Sequence, residues 1–407
     1  MHILHLTDAY SHGEGSIGHA IDTCRRGLDL QGIRSTLVAP DSGSSPVNPD
    51  RIAIPARLLP GGGELRLLNW SALSAGVALA LRGGVDAIHV HSPLLAHAAG
   101  ARLAARHGVP LLVSWHGPVE ALLPGLDRYL PGAAARRLGR QLTLARCRAA
   151  HCVVAASERI GSRLVSYGVR GRIEVVPEGI DPAHFAAGDG RAFRARHALD
   201  ADRALALLTG PRGAQAHGDD AQWPFLLDTI EQLRAQSPRL QILLAGEMEG
   251  ADRVRYRVRA AGLASHVRVV GLDSRPRALA DCYAACDLMA LASRDDADAD
   301  AVLRAMAAGL PVVAIAHQGA PDVLRRARGV RLTPDTAPAL AQVVGRLAAN
   351  PRQLALLSRE ARAECRHWSQ ATMAERLADI YASLRPQATR RDLPPVSRIH
   401  AARVKTG

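Results

Sequence analysis

Short runs of leucine and β-branched residues alternate along the chain with stretches whose apolar positions recur every three to four residues. HILHL leads into IGHAIDTCRRGLDL and then RSTLVAP; DAIHVHS, LLAHAAGARLAARHG and VPLLVSWHG repeat the sequence of patterns; AAHCVVAAS, ERIGSRLVSYG and RIEVVPEGIDPAHF close it. The short runs read as strands and the periodic stretches as helices. Strand, helix, strand in strict alternation predicts parallel strands with helices over both faces of the sheet. A second cycle starts at RALALLTG and passes through PFLLDTIEQLRAQ, LQILLAGE, VRVVGL, ALADCYAACD, LMALAS, AVLRAMAAG, PVVAIA and ALAQVVGRLAAN. The expected fold class is therefore α/β, with two doubly wound Rossmann-like domains facing across a cleft and ligands beyond the carboxyl ends of the strands. The expected boundaries are 1–182 for the first domain, 183–203 for a linker and 204–370 for the second domain. A helix over 371–385 then packs back on the first domain, and 386–407 form a disordered basic tail.

Length agrees with this division, because 407 residues exceed what one ordinary core organises. Apolar residues make up 48% of the chain, which excludes a disordered protein. The longest apolar stretch near the start, Leu73 to Leu81, is far shorter than a membrane span, and the first residues lack the pattern of a signal peptide. A cytoplasmic location, with peripheral contact at the inner membrane face, is the expectation. Cys24, Cys147, Cys152, Cys282, Cys286 and Cys365 lack paired spacing and read as reduced, buried thiols. Cys282 and Cys286 lie one helical turn apart without a third ligand, and DDADAD lacks the glycine and the final glutamate of a calcium loop, so no metal is expected.

The formal net charge of +13 rests on arginine, since Lys405 is the single lysine. Arg136, Arg137, Arg140, Arg146 and Arg148 fall in a segment with no acid, which is either a solvated helix face or a patch drawn to anionic lipid or a phosphorylated acceptor. Aromatic residues are only 3%, and no nucleic-acid reading motif accompanies the charge, so nucleic acid is not an expected partner.

GEGSIGHAI, DAIHVHSP, LLVSWHG, AASERIGSRLVSYGV, RIEVVPEGIDPAHF, LQILLAGE, VRVVGL, LASRDDADADAVLRAMAAGLPVVA and QGAPDVL occur in an order that resembles the family 4 glycosyltransferases, over residues 1 to about 385. The resemblance implies the glycosyltransferase B-type fold and a retaining transfer of a sugar from a nucleoside diphosphate donor, with no cofactor. It also assigns roles. Gly13, Gly15 and Ser16, ahead of a helix start, would approach the donor diphosphate, where glycine permits close contact and free amides favour anions. His116, following a strand, is similar to the family histidine that hydrogen-bonds the donor sugar or acceptor. His89 and His91 alternate in and out of their strand, so one of them is a structural histidine. Gly246 and Leu272 fall in segments that border the donor.

Several positions depart from the family pattern. Arg212 matches the family arginine that neutralises the leaving diphosphate, but His217 stands, one residue late, where a lysine is usual. Aligning the Ala305-Met306-Ala307 segment puts Asp296 at the first signature glutamate, beside the reacting sugar, and Arg304 at the second, which binds ribose hydroxyls. A guanidinium only donates hydrogen bonds, so Arg304 changes that contact. Asp298 lies in a segment that is Gly-Phe-Gly in the family, and Glu178 replaces a usual Asn. Two functions follow. The first is a glycosyltransferase of surface or extracellular polysaccharide assembly, with His116 and Asp296 as catalytic residues and a glycan or lipid-linked acceptor. The second is a catalytically impaired protein of the same fold acting as a binding or scaffold subunit.

Overall fold

The computed structural model describes residues 1–10, 17–41, 50–58, 65–116, 132–208, 222–272, 277–292, 298–316 and 327–384. They fall into two compact units, Met1–Gly179 together with the chain from Gln370, and Ile180–Ser369.

In the first unit the elements are β1 (His2–Leu6), α1 (Ile17–Leu30), β2 (Arg34–Pro40), β3 (Arg51–Ile54), β4 (Ala56–Leu58), β5 (Arg66–Leu68), α2 (Trp70–Arg82), β6 (Ala87–Val90), α3 (Leu95–His107), β7 (Leu111–Trp115), α4 (Gly132–Arg148), β8 (Cys152–Ala155), α5 (Glu158–Tyr167) and β9 (Ile173–Val175). Seven strands form one parallel sheet in the order β3-β2-β1-β6-β7-β8-β9, and β4 pairs with β5 in a separate antiparallel ribbon. Burial on both faces explains why the strands read as nearly continuous apolar runs. Leu4, Leu6, Ile88, Val90, Leu111 and Val113 pack under α2 and α3, while Ile3, Ala87, Leu112, Cys152 and Val154 face α1 and the chain's last described helix.

The second unit holds α6 (Pro182–Ala186), α7 (Gly190–Arg196), β10 (Leu205–Leu208), α8 (Gln222–Gln236), β11 (Gln241–Glu247), α9 (Met248–Ala260), β12 (Val267–Leu272), α10 (Ala278–Ala285), β13 (Leu288–Leu291), α11 (Asp298–Ala308), β14 (Val312–Ile315), β15 (Val330–Thr333), α12 (Ala337–Ala348) and α13 (Pro351–Cys365). Its six parallel strands run β12-β11-β10-β13-β14-β15, so the strand order reverses at β10 and β13, as it reverses at β1 and β6 in the first unit. Residues 183–203, expected from sequence to be a linker, instead carry most of α6 and all of α7 inside this unit. Asp181 and Asp189 cap the two helices, Phe185 and Phe193 enter the core, and Arg194 donates to Ala285 O and pairs with Asp287 at 2.9 Å. A capping aspartate plus one buried aromatic is enough to fix each short helix on a neighbouring surface.

The chain returns to the first unit in α14 (Gln370–Leu384), which buries Met373, Ala374, Leu377, Ile380 and Tyr381 against α1 and the sheet. Its approach is close. A Cβ at Gly27 of α1 would lie 2.7 Å from Gln370 O, so only glycine fits there. The six cysteines are buried and unpaired. The tail from residue 385, including the 386–407 segment, lies outside the described residues.

Candidate functional site

In an open parallel sheet the strand ends diverge where the order reverses, and that opening is where ligands gather. In the first unit it lies beyond β1 and β6. Asp8, just past β1, accepts from Ser92 Oγ at 2.7 Å and from the Ala96 amide at 3.0 Å, at the start of α3. Burial pushes its carboxyl up to about 6, although those donors favour the ionised form.

One face of the sheet carries a polar stripe into this opening. His5 on β1 is in register with His89 on β6, and His91 follows two residues later. Residues two apart on a strand share a face. His89 and His91 therefore do not alternate in and out, which corrects the expectation from sequence. Both are buried, with ring centroids 4.2 Å apart. Ser114 and His116 continue the stripe from β7. His89 bonds Tyr381 Oη at 2.6 Å and Ser114 Oγ at 2.8 Å. His116 Nδ1 lies 2.8 Å from Glu178 Oε1, His116 Nε2 lies 3.4 Å from His91 Nδ1, and His91 Nε2 lies 2.9 Å from His5 Nδ1.

The carboxylate sets the direction of this chain, because it only accepts. His116 donates from Nδ1 to Glu178, His91 donates from Nδ1 to His116, and His5 donates from Nδ1 to His91. The chain ends at His5 Nε2, a buried lone pair that has no hydrogen-bond partner among the described residues. Desolvation lowers His89 to about 3 and holds His5 and His91 well below the ordinary histidine range, so these three rings are neutral near pH 7. His116, with 14% of its side chain exposed, is the member that reaches solvent, next to half-exposed Glu178. A small cavity of about 30 Å³ adjoins His89, His91, His116 and Glu178, closed on the helix side by Cys24 and Met373.

In the second unit Gly246 and Leu272 lie at the carboxyl ends of the adjacent strands β11 and β12, with Gly246 opposite Gly271. Asp298 begins α11, just downstream of β13. Arg304, further along α11, is buried and ion-paired with Asp300 one turn earlier, so its charge is already engaged within its own helix. Gly13, Gly15, Ser16, Arg212, His217 and Asp296 lie outside the described residues. In sequence, Arg212 and His217 follow β10 and Asp296 follows β13, the two strands at which the order reverses. Sequence reasoning passed over His5 and noted Glu178 only as a substitution. The i, i+2 spacing in HVH and SWH was the available signal for the stripe, whereas the register of His5 against His89 is non-local.

Two family descriptions match the chain, Glycosyltransferase Family 4 over residues 17–184 and Glycosyl transferases group 1 over residues 215–350. A D-inositol 3-phosphate glycosyltransferase of Xylanimonas cellulosilytica is 31% identical over 339 residues, which is 79% of this chain and 77% of that protein. A D-inositol 3-phosphate glycosyltransferase 1 of Catenulispora acidiphila is 30% identical over 74% of this chain and 73% of its own length. Among solved structures, sucrose-phosphate synthase from Thermosynechococcus elongatus superposes with a TM-score of 0.68 at 20% identity, covering 94% of this chain and 99% of that one. Anabaena HepE in complex with UDP superposes at 0.66 with 19% identity, covering 94% and 100%. The two doubly wound units, the order of the motifs and the identity to these relatives agree: the chain belongs to the family 4 glycosyltransferases.

Proposed function

We propose that this glycosyltransferase moves a hexose, with retention, from a nucleoside diphosphate donor to a hydroxyl of a phosphorylated acceptor, on the cytoplasmic side of surface-polysaccharide assembly. The observation that carries the reading is His116, held by Glu178 where the strand order reverses in the first unit, with its ring partly open to solvent. Its Nδ1 is held by Glu178, and its Nε2, at a long 3.4 Å from His91 Nδ1, can exchange that contact for a hydrogen bond with a sugar hydroxyl. Relatives described as acting on D-inositol 3-phosphate and fold neighbours solved with UDP and UDP-glucose support a nucleotide sugar as donor and an anionic acceptor. On the donor side, Gly13, Gly15 and Ser16 would present amides to the diphosphate, and Arg212, with His217 in place of a lysine, would take the leaving charge. Asp296 would border the reacting sugar. With Arg304 engaged by Asp300, a ribose-binding carboxylate is missing, and nucleotide affinity should be weaker by about 1.5–3 kcal/mol than in a relative that has one.

Exposed Arg136, Arg137, Arg140 and Arg148 on α4 favour an acceptor phosphate that is lipid-linked and approached at an anionic membrane. Among the described residues no helix is long and apolar enough to cross a bilayer, so such contact would be peripheral. A thermal-shift panel tests the binding half of the proposal, since a ligand of the folded state raises its stability by mass action. Uridine, guanosine and adenosine diphosphates and their sugars form one arm, with inositol 3-phosphate against anionic vesicles as the other. Replacing the four exposed arginines with Gln should abolish salt-sensitive vesicle binding and leave the nucleotide shift intact. Nucleotide binding without sugar turnover would favour a scaffold role, and no shift with any donor would refute donor binding.

A further inference from the structure

The hydrogen-bonded chain ends at His5 Nε2, a buried nitrogen with no hydrogen-bond partner among the described residues, so either nitrogen of this ring can carry the proton while the other ligates. His5 lies among ligand-type nitrogens. His5, His89 and His91 each offer one, and the three lie within 4.8 Å of one another. His5 and His89 are register partners on the neighbouring central strands β1 and β6, and His91 follows directly after β6, so the backbone fixes their mutual placement.

We infer that His5, His89 and His91 form a binding site for one late first-row transition-metal ion, of which Zn²⁺ is the type, with one imidazole nitrogen from each ring as ligand.

A tetrahedral ion with bonds of about 2.0–2.1 Å holds its ligand nitrogens roughly 3.3–3.4 Å apart. One nitrogen of each ring lies within 4.8 Å of the other two; the 2.9 Å between His5 Nδ1 and His91 Nε2 is a hydrogen bond, which the ion would replace as the proton leaves Nδ1. Imidazole suits zinc, copper and nickel, and the absence of carboxylate and carbonyl oxygens from the set disfavours calcium and magnesium. Burial already keeps the three rings neutral, which is the ligating state. Ligating histidines usually have their second nitrogen held by a hydrogen bond that fixes the ring, and here those partners exist. His91 Nδ1 reaches the Glu178 carboxylate through His116, and His89, held at Nδ1 by Tyr381 and at Nε2 by Ser114, would keep one of these bonds and give up the other to the ion. The adjoining cavity of about 30 Å³ leaves room for a water at a fourth position. Through His91 the ion would also fix the orientation of His116. The site stands independently of the transfer reaction, because it needs no sugar or nucleotide.

The test uses the full-length protein with any affinity tag removed, incubated with ZnCl₂, desalted and analysed for metal content. About one ion per chain should be retained, and Co²⁺ in its place should give the intense visible bands of tetrahedral coordination. In competition with a chelating dye, His91→Asn should weaken Zn²⁺ binding by about 100-fold or more, at least as much as losing an outer partner, while His107→Asn at the surface should not. If His91→Asn fails to fold, the Co²⁺ spectrum of the unaltered protein decides the matter. Metal lost on desalting, or a pale octahedral Co²⁺ spectrum, would overturn the inference and leave the histidines as a hydrogen-bonded chain only.

Discussion

His97→Gln is a direct probe of how burial acts on this protein. His97 on α3 is 1% exposed, and its Nε2–H donates to Arg146 O at 2.9 Å in the last turn of α4. Its Nδ1 has no partner among the described residues, so a proton added there would be a buried donor without an acceptor, close to the Arg146 charge. Desolvation first, and Arg146 second, depress its folded pKa to about 4, although the bond to the carbonyl pulls the other way. A histidine depressed in the folded state stabilises fully above its unfolded pKa of about 6.5 and loses that contribution as pH falls towards about 4. Between pH 7.5 and pH 5.0 the unfolded chain takes up a proton that the folded one refuses, a loss of about 2 kcal/mol from this group alone. The substituted glutamine does not titrate, and its side-chain amide still offers an N–H to Arg146 O. Urea unfolding of both proteins at the two pH values, in EDTA, isolates the effect, because all other titrating groups are shared. The original protein should lose about 2 kcal/mol more than the variant. Parallel pH profiles would refute the reasoning and mean that His97 is solvated or protonated in the fold.

Glu178→Gln removes the charged acceptor of His116 but keeps the side-chain shape; Glu178 is half-exposed and its charge is screened, so about 1 kcal/mol, or roughly fivefold in kcat/KM, should be lost, with partial recovery in Glu178→Asp. Unchanged kcat/KM in steady-state assays would remove Glu178 as a positioning residue. Gly190→Ala at the start of α7 places a Cβ on the Ala284 carbonyl of α10, where only backbone movement can relieve the clash. Thermal melts should show a loss of about 1–3 kcal/mol, and an unaltered melt would mean that α7 is not seated on α10.

The two sheets were legible in the sequence because parallel strands buried on both faces leave apolar runs such as HILHL and LQILLAGE, and the helices between them carry their own period. The segment 183–203 was less so. Asp181 with Pro182, and Asp189, are readable helix starts, but that Phe185 and Phe193 dock on the second unit depends on surfaces distant in sequence. The same division holds at the site. The position of His116 beyond β7 followed from LLVSWHG, and Asp300 with Arg304, four apart in DADAVLR, already spelled the ion pair that engages Arg304. Applying the period of two to HVH would have put His89 and His91 on one face. That His5 joins them depends on the β1–β6 register, which no local pattern contains.

Turnover decides whether a sugar is transferred at a site bordered by His116. With the donor that stabilises the protein most and each acceptor class in turn, release of nucleoside diphosphate and the anomeric signal of the product are followed by NMR. An α-configured donor should give an α-configured product. His116→Ala, equally folded by its thermal melt, should be slower by about 10²-fold while its donor affinity changes little. Donor left unconsumed by the folded protein with every acceptor, or full turnover by His116→Ala, would contradict transfer at this site.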